Sequence, residues 1–254
     1  MFTFQMTIAG LQRKEVAGLI GGYFGTKPVY QGAPSFEYSV ADNSGGKWRI
    51  DKTNAVSIQS VDNLAVFRTL EENEATAAGH AAVKISTEGH TGLTLRNLVN
   101  ILVAKQHLII KTMGVPGERL MDPEVVATIN AAKLETVEDF LIAGGGDGSP
   151  GLAITSSDIT FRWFAASLEP DVIQAYVHFA LAVNRMALAL KYTTPTEKQP
   201  DNEKYHFRCW LLRLGFIGEN YKASRKVLLE RLSGDGAFRT VEQTRKARKT
   251  VAAG

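Results

Sequence analysis

The chain has 254 residues, of which 44% are hydrophobic and 22% are charged, and its formal net charge is +3. This composition is typical of a folded globular chain and excludes a disordered or collagen-like one. Cys209 is the single cysteine, which excludes an intramolecular disulfide or a thiolate zinc cage, and the five histidines show no metal-ligand spacing. We therefore expect neither a metal nor a cofactor.

The sequence gives no sign of a membrane segment or an export signal. No run approaches the ~20 apolar residues of a membrane-spanning helix. The first ten residues, MFTFQMTIAG, lack the basic region and the small-residue cleavage site of a secretory signal. We therefore expect a cytoplasmic protein without membrane contact.

The positive charge is concentrated towards the end of the chain. Residues 203–254 contain 12 Lys and Arg against 5 Asp and Glu, a net charge of +7, so the remainder of the chain carries −4. A basic terminal region on an acidic body is typical of proteins that contact nucleic acid or an acidic partner. A solvated charged face that maintains solubility is the alternative interpretation.

The first 62 residues predict a small α+β module. Apolar residues alternate with polar ones over Phe2–Ile8 and Phe36–Val40, which is the period of a half-buried strand. Leu11–Ile20 has the pattern of a short helix, and Asp42–Gly46 has the composition of a hairpin turn leading into Trp48–Ile50.

The rest of the chain predicts a larger mixed domain. We expect a bridging helix or linker over 63–80 and a larger domain over 81–239, followed by a basic tail over 240–254. Within the larger domain, the pattern predicts a strand over 82–86, a helix over 93–113, a helix that begins at Asp122 and Pro123, a hairpin from 152 to 164 and a long core helix opened by Pro170. The predicted fold class is therefore α+β.

The densest apolar and basic periodicity lies in Asp201–Arg239 and predicts a helical hairpin. Phe207, Trp210, Leu211 and Leu214 recur at helical spacing and give the first helix one apolar stripe. The short turn Gly215–Gly218 leads to a second helix, in which Phe216 and Ile217 of the turn are expected to be buried. The basic residues of this hairpin are left to form an outer face.

The basic face supplies the candidate binding residues. They are Arg208, Arg213, Tyr221, Lys222, Arg225 and Lys226. The preferred hypothesis is contact with an acidic protein partner. The alternative is direct nucleic-acid binding, because a short glycine-containing turn followed by a basic helix resembles a helix-turn-helix.

Two other patterns are weaker indications of function. The glycine-rich loop Gly144–Gly151 lacks the Lys-Ser/Thr pair of a phosphate-binding loop, so it more simply connects elements. His206, Cys209 and Arg213 share one helix face, but a shared face rarely gives the geometry of proton transfer. We therefore expect no catalytic residues and a protein that is not an enzyme.

Two stretches resemble a known family. The first comprises Gly10–Lys14, Gly25, Tyr30–Tyr38 and Ile50–Lys52, and the second runs from Asp201 through Gly218 to Arg239. Both resemble proteins carried on phages, prophages and conjugative elements of Firmicutes that are labelled "virulence-related protein". That family has no established activity, and residues 118–149 depart from its pattern.

The resemblance implies a setting for the protein. Small accessory proteins of mobile elements frequently bind and block a host machine, including immune nuclease complexes. The resemblance thus implies a host protein complex as partner, inhibition as the outcome and the host bacterial cytoplasm as the location. We also expect self-association into a homo-oligomer, because inhibitors often close an interface by symmetry.

Overall fold

The computed structural model describes residues 1–115, 117–146, 149 and 151–237, and the tail predicted over 240–254 lies outside them. Strands and helices are both present, so the predicted α+β class is confirmed. The chain divides into two compact units. Unit 1 comprises Met1–Gly89 and Gly146–Leu181, and unit 2 comprises His90–Gly145 and Ala182–Gly254.

Unit 1 is built on an eight-stranded antiparallel sheet. Its strands are β1 (Phe2–Ala9), β2 (Val29–Tyr30), β3 (Tyr38–Ala41), β4 (Lys47–Ile50), β5 (Ala55–Ile58), β6 (Thr76–Ser86), β7 (Leu152–Ile154) and β8 (Asp158–Ala165). Their order in space is β2-β3-β4-β5-β1-β6-β8-β7. The first strand therefore lies in the middle of the sheet, between β5 and β6.

The alternation in β1 gives the sheet one apolar face and one polar face. Phe4, Met6 and Ile8 are buried, and the residues between them point to the other face, as the two-residue period of a strand requires. On the apolar face, the Trp48 ring lies 5.7 Å from Phe24 and 5.3 Å from Phe67. These two aromatic residues belong to the helices α1 (Arg13–Phe24) and α2 (Val66–Glu72), which cover this face.

The compact units do not follow the predicted boundaries. Part of the predicted linker over 63–80 is helix α2, and its last residues already belong to β6. Because β6 pairs with β1 on one side and β8 on the other, strands of both predicted domains share one sheet. The predicted strand over Ala82–Ser86 is the second half of β6, but the sequence did not indicate the first half, because Ala77, Ala78 and Gly79 carry little strand propensity and the ladder is irregular near them.

Unit 2 is helical. It contains α3 (Gly92–Val103), α4 (Gln106–Met113), α5 (Pro123–Ala131), α6 (Val137–Ile142), residues 182–189 of α7 (Pro170–Ala189), α8 (Glu203–Arg213), a 3₁₀ helix (Glu219–Tyr221) and α9 (Lys222–Leu229). The helix predicted over 93–113 is interrupted at Ala104 and Lys105. The predicted start at Asp122 is confirmed, because its side chain accepts a hydrogen bond from Glu124 N at 2.8 Å.

Helix α7 is the predicted long core helix. Among the described residues it alone is long and apolar enough to cross a membrane by length and composition, with a mean hydropathy of 1.2. However, 56% of that apolar window is buried inside the structure, and core helices pass the same test.

Gly10, which follows β1, is required by both backbone conformation and space. Its φ is +88°, and a Cβ at this position would lie 2.5 Å from the carbonyl oxygen of Glu74. We expect Gly10→Ala to lower the free energy of unfolding by about 1–3 kcal/mol, because the left-handed conformation and the clash both oppose a side chain. Urea denaturation measures the loss.

Gly18 provides the matched control. It lies within α1, has no positive φ, and a Cβ there would meet nothing within 4 Å. Gly18→Ala should therefore raise the free energy of unfolding by about 0.5–1 kcal/mol, the usual gain for alanine in a helix. Equal effects of the two substitutions would contradict this assignment.

Candidate functional site

The predicted helical hairpin is present in unit 2 as α8, the 3₁₀ helix and α9. Helix α8 buries Phe207, Trp210 and Leu211, as its apolar periodicity predicted. The turn differs in one respect: Phe216 is buried, but Ile217 is 67% exposed, so the expectation that both would be buried is wrong for Ile217.

The start of α8 is tied to the segment that follows α9. The fully buried Asn202 accepts a hydrogen bond from Tyr205 N, and its amide donates to the Asp235 carbonyl at 2.9 Å. The Glu203 carboxylate accepts hydrogen bonds from both the backbone and the hydroxyl of Ser233 and pairs with Lys111 at 2.6 Å. Burial alone would raise the pKa of Glu203, but these partners bring it below its ordinary value.

Four of the six predicted site residues are exposed cations: Arg208, Arg213, Lys222 and Lys226. Lys222 lies 3.1 Å from the Glu219 carboxylate, but both side chains are mostly exposed, so this pair contributes little. Arg208 donates to the Gly236 carbonyl at 3.3 Å. The Lys226 side chain makes no hydrogen bond or ion pair within the described part of the chain.

The other two predicted residues shape the turn. The Arg225 guanidinium donates through Nη1 to the carbonyls of Phe216 at 2.9 Å and Gly218 at 3.0 Å. The Tyr221 ring packs 5.1 Å from the Phe216 ring. Both side chains are half-buried and serve the hairpin's own structure, which the sequence pattern did not indicate.

Arg213 lines a cleft of about 530 Å³ in unit 2 together with Lys105, a residue that the sequence analysis missed. Burial lowers the pKa of the Lys105 ammonium, and the positive charges of Arg213 and Lys198 lower it further. Lys105 lies between α3 and α4, far from Arg213 in sequence, so helical periodicity could not have joined them. The cleft therefore holds cations that repel one another.

The structure places the weaker sequence candidates on α8 and in the glycine-rich loop. His206 and Cys209 are half-buried on α8, and the ring of His206 contacts that of Tyr205. No group of three or more His, Cys, Asp or Glu in the described ranges is placed to hold a metal ion. The Gly144–Gly151 loop falls partly outside the described residues.

A second polar site lies on the open face of the sheet in unit 1, and the sequence analysis did not identify it. The strand register places Arg49 opposite Ser57, and Ser57 opposite Gln5. A cavity of about 250 Å³ is lined here by these residues together with Thr3, Glu37, Lys47, Asp51 and Gln59. The polar positions of β1 and β4 were the available signal, but only the register shows that they align.

No protein-family model matches the chain, and no curated protein matches it. Among solved structures, it is similar to the crystal structure of the complex between the prokaryotic ubiquitin-like protein Pup and its ligase PafA, with 10% identity and a TM-score of 0.31. The similarity covers 96% of this chain and 55% of the matched chain.

This comparison contradicts the prediction that the protein is not an enzyme, since the similar structure is that of a ligase. The non-enzymatic prediction is therefore not retained. A likeness of this size assigns no reaction, substrate or catalytic residue to the present chain.

Arg225 and Lys226 are adjacent in sequence but differ in role, because Arg225 supports the turn and Lys226 is exposed. Arg225→Gln should lower the free energy of unfolding by about 1 kcal/mol, because two carbonyls of the turn lose their donor. Lys226→Gln should leave it within about 0.5 kcal/mol of the original, because the side chain is exposed. Denaturant unfolding of both variants measures these changes. A larger loss of unfolding free energy in Lys226→Gln than in Arg225→Gln would disprove the structural role of Arg225.

The pKa of the Lys105 ammonium reports on the positive charge in the cleft. Because Arg213 lowers the pKa of the Lys105 ammonium, Arg213→Gln should raise that pKa towards the ordinary value for lysine. NMR titration of the Lys105 side chain measures the shift. Arg208→Gln, on the same helix, is the control and should leave the titration unchanged.

Proposed function

We propose that this protein binds an acidic partner through the basic surface of its helical hairpin, formed by Arg208, Arg213, Lys222 and Lys226. The observation that carries the proposal is the pair Lys222 and Lys226, which lie one helical turn apart on α9 with exposed side chains. Among the described residues, the Lys226 side chain pairs with no acidic group, and the pair of Lys222 with Glu219 is mostly exposed and therefore weak, so both lysines are available to an external anion.

The resemblance to mobile-element proteins supports a host protein complex as the partner. In this proposal the protein is an accessory of a phage or related element, it acts in the bacterial cytoplasm, and its binding inhibits an immune nuclease complex. Self-association into a homo-oligomer remains part of the proposal, because a symmetric pair would present the basic surface twice.

Direct nucleic-acid binding is the alternative. It is favoured by the position of Lys222 at the first residue of α9 with Lys226 one turn later, which is where the second helix of a helix-turn-helix makes its contacts. The two functions differ in their dependence on salt. A protein that neutralises several phosphates loses orders of magnitude in affinity between about 50 and 200 mM salt.

A charge-reversal experiment tests the proposal. Host lysate is passed over the immobilised protein and over Lys222→Glu/Lys226→Glu, and bound proteins are identified. We expect an acidic host complex to be retained by the original protein and reduced at least about tenfold with the double variant, because two attractive contacts become repulsive.

The control is Lys14→Glu/Lys52→Glu, which changes the net charge equally at exposed lysines of unit 1. It should retain the same complex. Equal retention by the two double variants would exclude the basic surface as the binding site. Tight binding of nonspecific duplex DNA at about 50 mM salt, lost at 200 mM, would instead favour the nucleic-acid alternative.

A further inference from the structure

The cleft in unit 2 has an apolar floor contributed by three helices. It is lined by Ile101 of α3, Met186 of α7, Leu190 directly after α7, and Trp210 of α8. Its volume of about 530 Å³ lies within the range of small-molecule sites in proteins, ~300–1,000 Å³. Leu190 is 39% exposed, so apolar surface is left facing the opening of the cleft.

Hydrogen bonds within unit 2 hold the wall of this cleft in place. The Asn97 amide donates to the Leu190 carbonyl at 2.6 Å, and the Asn100 amide donates to the Thr193 carbonyl at 2.9 Å. Both asparagines are buried on α3. The chain leaving α7 is therefore fixed against α3, and the cleft is formed before any ligand arrives, which reduces the ordering cost of binding.

The cations that line the cleft have no counterion among the described residues of unit 2. The side chains of Lys105 and Arg213 make no ion pair or hydrogen bond there. The carboxylate of Glu197 is engaged by Gln106 and His107, and that of Glu203 by Lys111 and Ser233. Two like charges thus face the same space, and an external anion would relieve their repulsion.

We propose that this cleft binds an amphipathic anion, a molecule with one carboxylate or phosphate head and an apolar body. The head would lie between the Lys105 ammonium and the Arg213 guanidinium, whose planar fork suits both oxyanions. The body would cover the apolar floor beside Met186 and Trp210. This site shares Arg213 with the proposed basic surface, but it does not involve the exposed lysines of α9.

The composition of the cleft excludes other ligand classes. A cation would add to the existing repulsion, and a fully polar molecule would leave the apolar floor unmatched and lose hydrogen bonds to water. A neutral apolar molecule would cover the floor but leave the two cations without a partner. Both parts of an amphipathic anion are therefore needed for full affinity.

Chain-matched amphiphiles test the proposal. Decanoate and decyl phosphate carry the anionic head on the same body, decyltrimethylammonium reverses the charge, and acetate removes the body. Titrations followed by calorimetry should show binding of at least one decyl anion at submillimolar to low millimolar concentration. Binding of acetate should be weaker by at least about a hundredfold, because apolar burial contributes ~0.8 kcal/mol per CH₂. The tighter of the two decyl anions identifies the head group.

Methionine methyl NMR locates the binding. Met186 lines the cleft, whereas Met6, Met113 and Met121 are buried elsewhere. A decyl anion should shift the Met186 methyl signal and leave those three signals in place. Shifts of similar size at all four methionines would contradict a site in the cleft.

Two matched substitutions separate loss of the site from loss of the fold. Leu190→Asp places a negative charge in the cleft wall and should weaken decyl-anion binding at least about tenfold, or ~1.4 kcal/mol. Leu188→Asp makes the same change at a similarly exposed position, 38%, outside the lining residues and should not alter binding. Lys105→Met keeps the apolar stem of the side chain but removes its charge. It should weaken the binding of the decyl anions without strengthening the binding of acetate.

Three results would overturn the proposal. The first is equal binding of decyltrimethylammonium and the decyl anions, and the second is no binding of either decyl anion up to about 10 mM. The third is an equal loss of decyl-anion affinity in Leu190→Asp and Leu188→Asp. Because Leu188 and Leu190 are both partly exposed, both variants are expected to fold. Unchanged unfolding midpoints and methionine spectra confirm this before binding is compared.

Discussion

The attachment of α8 at both of its ends determines what unit 2 presents to a partner. At the amino end, Asn202 and Glu203 bind the segment that follows α9. At the carboxyl end, the Arg185 guanidinium donates to the Leu214 carbonyl at 3.2 Å. With its ends fixed, α8 keeps its aromatic residues in the core, and the cations at 208 and 213 face outwards. Both proposed binding surfaces depend on that orientation.

The structure separates cations that maintain the fold from cations that are available. Arg225 and Lys111 are of the first kind: one satisfies the carbonyls of a turn and the other neutralises a carboxylate that clamps the hairpin. Lys226 and Lys105 are of the second kind, one on an exposed helix and one at the end of an apolar cleft. A basic segment is therefore not uniformly a docking surface, and substitutions must distinguish the two kinds before a loss of function can be interpreted.

Sequence periodicity correctly predicted features that are determined by residues close together in the chain. The alternation of β1, the cap at Asp122 and the apolar stripe of α8 were all correct because each is a local pattern. It failed where distant segments meet. The first half of β6 lacks the usual strand residues and is specified by its pairing with β1 and β8, and Lys105 lies near Arg213 only through the packing of unit 2. All of the cleft except Arg213, and all of the open sheet face, were consequently missing from the predicted sites.

A partner that binds the basic surface must cover the exposed lysines of α9, and amine-reactive footprinting measures this most directly. The captured complex and the free protein are labelled under the same conditions, and modification at each lysine is quantified by mass spectrometry. We expect Lys222 and Lys226 to be protected in the complex, while Lys14 and Lys52 react as in the free protein. Protection at Lys14 and Lys52 alone, or equal labelling of all four lysines in both samples, would contradict the claim.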